Sequence, residues 1–236
     1  MIKNTVKRQL KKLVSFPPVP CMSTDNVYAL MDALYHKRGV EGAVVEVGCA
    51  NGGTTAYARR FLSRLGPQRP YVCVDTFSGF VQEHLETDHA LGLTADHDDR
   101  FSANSVEAFS ENLRRWGVRD GVTIVQGDIS KVTPDQLPQP IAVCLLDVDL
   151  RDPIYDGLQT LVPLLAPGGV VLVDDCKAGT SWVGADVGYR DYVTEKGLPP
   201  RYYMGFGVVE AEGAPEHALP WAYSDAPIAV PEGALL

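Results

Sequence analysis

Two apolar runs of the chain end in paired carboxylates. LLDVDLRD, residues 145–152, carries Asp147 and Asp149, and LVDDC, residues 172–176, carries Asp174 and Asp175. Ionised carboxylates gathered in a partly dry cleft repel one another, so such a group either takes up protons or holds a cation. The stretch between Asp147 and Asp174 has room for one crossover helix, which would deliver both pairs to neighbouring parallel strand ends. Oxygen-only ligands suit a hard cation such as Mg²⁺, and Asp147, Asp174 and Asp175 are the expected metal ligands. A cation held there can bind a substrate oxygen and lower the pKa of its hydroxyl. The plainer alternative is that Asp149 and Asp175 cap the helices that follow.

A second constellation lies upstream. In VEVGCANGGTT, residues 45–55, glycines 48, 52 and 53 permit a sharp turn and close backbone approach to a ligand at the start of a helix. About twenty residues further on, Asp75 closes an apolar run, where a carboxylate can accept hydrogen bonds from both hydroxyls of a ribose. Glycines and acid together imply a nucleoside-containing cofactor. The dinucleotide pattern GxGxxG is broken by Ala50, which disfavours a nicotinamide-dependent oxidoreductase. GDIS, residues 127–130, places Asp128 after a third apolar run, where a turn or cap is the plain reading.

Histidines supply a rival chemistry. His84, His89 and His97 fall in one polar stretch, and an imidazole can take a proton without any metal. His84 and His89 are retained as candidate catalytic groups, and solvated loop positions are the bland reading of the histidines.

These residues need a frame. AVVEVG (43–48), YVCVD (71–75), VTIVQGD (122–128), IAVCLLD (141–147) and GVVLVDD (169–175) read as strands. Helical stretches at 53–66, 105–117 and 153–166 separate them. Continuous Val, Leu and Ile runs between amphipathic helices indicate a parallel sheet covered on both faces, hence a doubly wound α/β fold. VGADVGYRDYVTEKG reads as a further helix, and RYYMG and FGVVEAE as two strands whose close turn makes the last pair antiparallel. Ser23 is placed to cap a helix running to about residue 38. Val6, Leu10, Leu13 and Val14, amid five basic residues, give an N-terminal helix that either beds on the domain or acts as a lid.

The expected organisation is a helical cap or lid over 1–40, a cofactor-binding domain over 41–212 and a tail over 213–236. The stretch 76–102 is too long and polar for an ordinary connection, and is expected to be a mobile acceptor-recognition loop. Trp182 and Tyr189 are candidate pocket walls, and Trp221 and Tyr223 candidate docking groups for the tail. With 21 basic against 30 acidic residues, nucleic acid and anionic membrane are disfavoured as partners. Five scattered cysteines without CxxC spacing read as reduced, and PPVPCMSTDN is not the apolar core of a signal peptide, so a cytoplasmic location is expected. No run approaches a membrane span.

Acidic-x-Gly-x-x-x-Gly at Glu46, Gly48 and Gly52 resembles the nucleotide loop of class I S-adenosylmethionine methyltransferases, and the likeness covers roughly residues 40–210. The stretch from LLDVDLRD to LVDDC, with VEVGCANGGTT and DTFSGF, is similar to the macrocin O-methyltransferase family, which methylates sugar hydroxyls of antibiotics. The resemblance implies a mostly parallel seven-stranded sheet with an antiparallel last strand. It implies S-adenosylmethionine at Glu46, Gly48, Asn51, Gly52, Gly53 and Thr54, at Asp75, Thr76 and Phe77, and at Gly127, Asp128, Ile129 and Asp147. It also implies Mg²⁺ on Asp147, Asp174 and Asp175, with Asp147 placed to take the hydroxyl proton. The expected acceptor is a glycosylated natural product, and the expected assembly a homo-oligomer. Val148, Arg151 and Asp152 depart from the family pattern, so the acceptor can differ from a macrolide sugar. A metal-free methyltransferase with a His or Asp base, and a non-catalytic binding module, are the remaining alternatives.

Overall fold

The apolar runs form the strands expected of them. In the computed structural model, which describes residues 17–94, 101–118, 120–213, 219–220, 223–224 and 226–229, they are β1 (Ala43–Val47), β2 (Tyr71–Asp75), β3 (Val122–Gln126), β4 (Ile141–Leu146) and β5 (Leu165–Val173). All four pairings among them are parallel. Two further strands, β7 (Tyr202–Tyr203) and β8 (Phe206–Glu210), complete a seven-stranded sheet ordered β3-β2-β1-β4-β5-β8-β7. β8 runs antiparallel to both neighbours, as the close turn at Met204 and Gly205 requires. Short β6 (Lys177–Ala178) and β9 (Ile228–Ala229) pair in parallel beside it, so part of the tail is fastened next to the second acidic pair.

Among the described residues there are six α-helices, of which α3 (Gln82–Ala90) follows β2 and the other five cover the sheet. On one face α1 (Thr24–His36), α2 (Gly53–Leu65) and α4 (Val106–Arg115) pack Leu30, Leu62 and Phe109 against Val44, Cys73 and Leu145. On the other, α5 (Arg151–Leu161) and α6 (Val183–Glu195) set Ile154, Leu158 and Tyr189 against Val45, Val47 and Leu146. Alternate residues of one strand thus serve opposite faces, which explains why the central strands are almost wholly apolar, Glu46 of β1 being the interior exception. Edge strand β3 carries Thr123 and Gln126. Ser105 caps α4 by accepting the Ala108 N–H at 3.1 Å. Cys49, Cys73, Cys144 and Cys176 are free and buried.

Several expectations need correction. Ser23 precedes α1 but makes no side-chain cap; its hydroxyl donates to Asn26 Oδ1 at 2.6 Å and accepts from Lys177 Nζ at 2.7 Å. The helix expected over 153–166 starts at Arg151, with Pro153 in its first turn, and gives way to β5 at Leu165. The stretch 76–102 is no bare loop, because Gln82–Ala90 forms α3. The N-terminal helix pattern, His97 and Trp221 lie outside the described residues.

Candidate active site

The sheet register decides where the acids meet. Leu146 and Val173 are partners on β4 and β5, and the ladder continues through Asp147 N–H to Val47 O and Asp174 N–H to Leu146 O, both at 2.9 Å. Asp147 and Asp174 therefore leave the sheet side by side. Asp149 and Asp175 follow with φ of 63° and 55°, a left-handed conformation that asparagine and aspartate tolerate better than most residues. One carboxylate oxygen from each of Asp147, Asp149 and Asp175 lies within 4.8 Å of the others. Asp149, left out of the expected metal ligands and offered a helix cap as its plainer role, thus stands inside the cluster, and α5 starts beyond it with Leu150 at the cap position. Asp174 stands behind it: its Oδ1 accepts from the Asn26 side-chain amide and from the Asp175 N–H.

The electrostatics follow. Burial first, then the Asp174, Asp149 and Asp175 charges, hold the Asp147 carboxyl well above the usual carboxylate range. Burial and the Asp175 charge raise Asp174, opposed by the Asp175 N–H, Lys177 and Asn26. Burial raises Asp175 too, against a hydrogen bond with Asp149 and the Lys177 charge. An oxygen-only donor set that resists ionisation when empty is chemically suited to a hard divalent cation.

These acids share one cleft of about 740 Å³ with the ends of β1, β2 and β3. Asp75 lies in it, Oδ2 accepting the Ala50 N–H at 2.9 Å and Oδ1 the Phe77 N–H at 2.6 Å. Each carboxylate oxygen can accept a second hydrogen bond, so both can still receive a ribose hydroxyl. Burial raises the Asp75 pKa, against those two N–H groups. Gly48, Gly53, Thr54, Thr76, Gly127, Asp128 and Ile129 also line the cleft. Two of the glycines have a nearer reason than the expected ligand approach. A Cβ on Gly48 would sit 1.6 Å from the Asp147 carbonyl oxygen, and one on Gly53 would sit 1.9 Å from that of Val19.

Four expected cofactor residues are placed elsewhere. Glu46 is 1% exposed, bonded by the Tyr71 hydroxyl, and behind the cleft wall. Phe77 is buried against Phe109 at a centroid distance of 5.1 Å. Gly52, at φ 82°, turns the chain into α2, and exposed Asn51 offers its carbonyl to Asn112. Their backbone shapes the loop while their side chains stay off the cleft surface.

The histidines separate. His84 lines the cleft, its Nε2 3.1 Å from Asp128 Oδ2, whereas His89, on the same helix, lies outside the cleft lining. Asp128 also accepts the Ser130 N–H at 3.0 Å, so its expected capping role is real. Trp182 lines the cleft, tilted on Phe80 with centroids 5.0 Å apart, and Phe101 meets the other side of Phe80 at 5.7 Å. Tyr189, expected as a second wall, is instead a core residue whose hydroxyl is bonded to the Arg201 and Val208 carbonyls.

Sequence reasoning missed Asn26, Lys177, Asn104, Phe80 and Phe101 as cleft residues. An Asn inside the otherwise apolar face of TDNVYALMDALYH was the one available signal, since it is 1% exposed and must be satisfied.

The seven-stranded sheet order, the glycine turn after β1 and the acid closing β2 together define the class I methyltransferase fold. The O-methyltransferase NovP shares it, with a TM-score of 0.65, 20% identity and 80% of each chain covered. Residues 23–198 match the macrocin-O-methyltransferase (TylF) family, and the chain belongs to that family. A methyltransferase from Streptomyces olivaceus, acting at the 4'-O of 8-demethyl-8-(2,3-dimethoxy-alpha-L-rhamnosyl)-tetracenomycin C, is 31% identical over 141 residues, 58% of this chain and 54% of the relative. The mycinamicin III 3''-O-methyltransferase of Micromonospora griseorubida is 29% identical over 142 residues, 58% of this chain and 56% of the relative. The chain spans about half the length of the curated relatives it matches. Among the described residues no helix is long and apolar enough to cross a membrane.

Proposed function

We propose that the protein is an S-adenosylmethionine-dependent O-methyltransferase, assisted by Mg²⁺, that methylates a sugar hydroxyl of a glycosylated natural product. The observation that carries this reading is the meeting, in one cleft, of the Asp75 carboxylate with the Asp147, Asp149 and Asp175 oxygens. Family membership and the rhamnosyl-bearing substrate named for the Streptomyces olivaceus relative support the acceptor class.

When bound, S-adenosylmethionine supplies an electrophilic methyl group on a sulfonium, and Mg²⁺ supplies positive charge that lowers the pKa of a hydroxyl. The chain's own residues do the rest. Asp75 receives the ribose hydroxyls, and Asp128 stands at the base end of the cleft. Asp147, Asp149 and Asp175 would hold the cation, and Asp174 fixes Asp175 through its N–H at 2.8 Å. Asp147, which leaves the end of β4 into the cleft beside the cofactor loop, is the group that would receive the acceptor's proton. Held this way, the acceptor oxygen would face the methyl carbon, and transfer would convert the hydroxyl to a methyl ether and the sulfonium to a neutral thioether. Phe80, Phe101 and Trp182 give the cleft an aromatic wall on which the apolar face of a sugar or aglycone can rest. Positioning of the two reactants then supplies much of the acceleration.

The test is methyl transfer from labelled cofactor to a panel of glycosides, with and without EDTA. Transfer confined to non-glycosylated acceptors would remove the sugar from the proposal, and undiminished transfer in EDTA would remove the metal.

A further inference from the structure

α3 flanks the cleft through His84 and is fastened at two points one helical turn apart. At the first, His84 Nε2 meets Asp128 Oδ2 at 3.1 Å, with the two side chains only 13% and 10% exposed. At the second, the buried Asp88 carboxylate accepts the Arg151 N–H at 3.2 Å, at the N-terminus of α5. Leu85 between them is buried, which seats the helix. An otherwise polar helix, QEHLETDHA, thus has a defined position through these contacts.

The position of His84 argues against its acting as a base. A general base must reach the proton it removes, within about 3 Å or through one water. One of its ring nitrogens is committed to Asp128, after β3, whereas the carboxylate cluster follows β4 and β5. β3 and β4 stand three strand spacings apart in the sheet, roughly 14 Å between axes. Asp128 has its other oxygen on the Ser130 N–H, and Lys131 reaches Oδ2 only at 3.6 Å from an exposed side chain. His84 is therefore the buried partner that fixes the orientation of this carboxylate.

We propose that His84 is a positioning residue for the cofactor's nucleoside: carried on α3, it orients Asp128 and closes the base end of the cleft, so that it governs how tightly the cofactor is held. This rests on the cofactor assignment above and adds to it a role for a residue of the helix that flanks the cleft.

The experiment is calorimetric titration of S-adenosylhomocysteine into wild type, His84→Ala, His84→Gln, Asp128→Asn and the His84→Ala/Asp128→Asn double variant. His84→Ala should weaken binding by roughly tenfold, the scale of one charge-assisted hydrogen bond. His84→Gln keeps a side-chain N–H donor and should stay within about threefold of wild type, a rescue that general loosening of the helix would not show. The double variant should bind within about twofold of Asp128→Asn alone, since the pair acts as a unit. Unchanged affinity in His84→Ala, or additive losses in the double variant, overturns the inference. Should His84→Ala fail to fold, a tenfold loss in His84→Gln overturns it equally. Wild type that ignores S-adenosylhomocysteine would instead overturn the cofactor assignment itself, so the two failures are distinguishable.

Discussion

Ala50 donates its backbone N–H to Asp75 Oδ2 at 2.9 Å, tying the glycine loop after β1 to the acid that closes β2. One carboxylate therefore both shapes the loop and faces the cleft. Asp75→Ala should weaken S-adenosylhomocysteine binding by about 1.5 to 3 kcal/mol, the range for hydrogen bonds to a charged acceptor. Asp75→Asn keeps one acceptor oxygen and should lose less. Calorimetry that finds both variants at wild-type affinity would show that the ribose lies elsewhere.

The carboxylate cluster makes a separate forecast. Asp147→Asn, Asp149→Asn and Asp175→Asn should each lower turnover by on the order of a hundredfold or more, since lost metal activation is worth several kcal/mol and each ~1.4 kcal/mol is a factor of ten. S-adenosylhomocysteine affinity should move by less than about threefold, a split that marks interactions made in the transition state. Asp174→Asn disturbs the anchor of Asp175 and should fall between those variants and wild type. Mg²⁺ titration of EDTA-treated protein provides the direct check: heat of binding in wild type and none in Asp175→Asn.

Much of this was legible in the residues. The continuous apolar runs announce buried parallel strands, and acids at strand ends announce the cleft, because both signals are local. α3 is invisible by the same logic, since its polar sequence lacks an apolar stripe and its place depends on Asp128 and Arg151, far along the chain. Asn26 and Lys177 were missed for a related reason, as their partners Asp174 and Ser23 are 148 and 154 residues away. Glu46 and Phe77 carry the right pattern but point away from the cleft, because alternate strand positions face opposite sides and a loop's backbone can serve a ligand while its side chains serve the core. The placing of Asp149 was corrected by a backbone angle, φ 63°, that no residue type announces.

The aromatic wall predicts a complementary split. Trp182→Ala and Phe80→Ala should raise the acceptor's KM by roughly tenfold, as stacked aromatic contacts are worth about 0.5 to 1.5 kcal/mol beyond their area. Cofactor affinity should hold, because Asp75 is positioned by the Ala50 and Phe77 N–H groups and not by these rings. Leucine in place of Trp182 preserves apolar area and should recover only part of the loss. If both alanine variants leave the KM of a turned-over glycoside unchanged, the acceptor rests on another surface.

Glu46 gives a prediction about stability. Its carboxyl is 1% exposed, bonded by Tyr71, and pushed by burial from 4.5 to about 7, while Oε1 has no partner among the described residues. The sign follows from proton linkage: an acid whose folded pKa is raised holds its proton more tightly when folded, so stability falls as pH rises. Below about pH 4.5 both folded and unfolded chains carry the proton, and the group is neutral in its effect. Through the window from 4.5 to about 7 the unfolded chain sheds its proton first, and above about 7 the whole penalty applies. That gap corresponds to on the order of 3 kcal/mol. Glu46→Gln cannot ionise, so it should gain stability relative to wild type on going from pH 4.5 to pH 8, approaching that amount. Buried acids that do not interact with Glu46 cancel from the comparison, and Asp75, whose charge also raises Glu46, adds a smaller coupled contribution. Any fixed change from placing an amide beside Tyr71 appears as a constant offset. Denaturant melts at four or five pH values resolve the two contributions. A difference between the proteins that stays flat across this window would mean that Glu46 remains ionised in the fold, held by donors other than Tyr71.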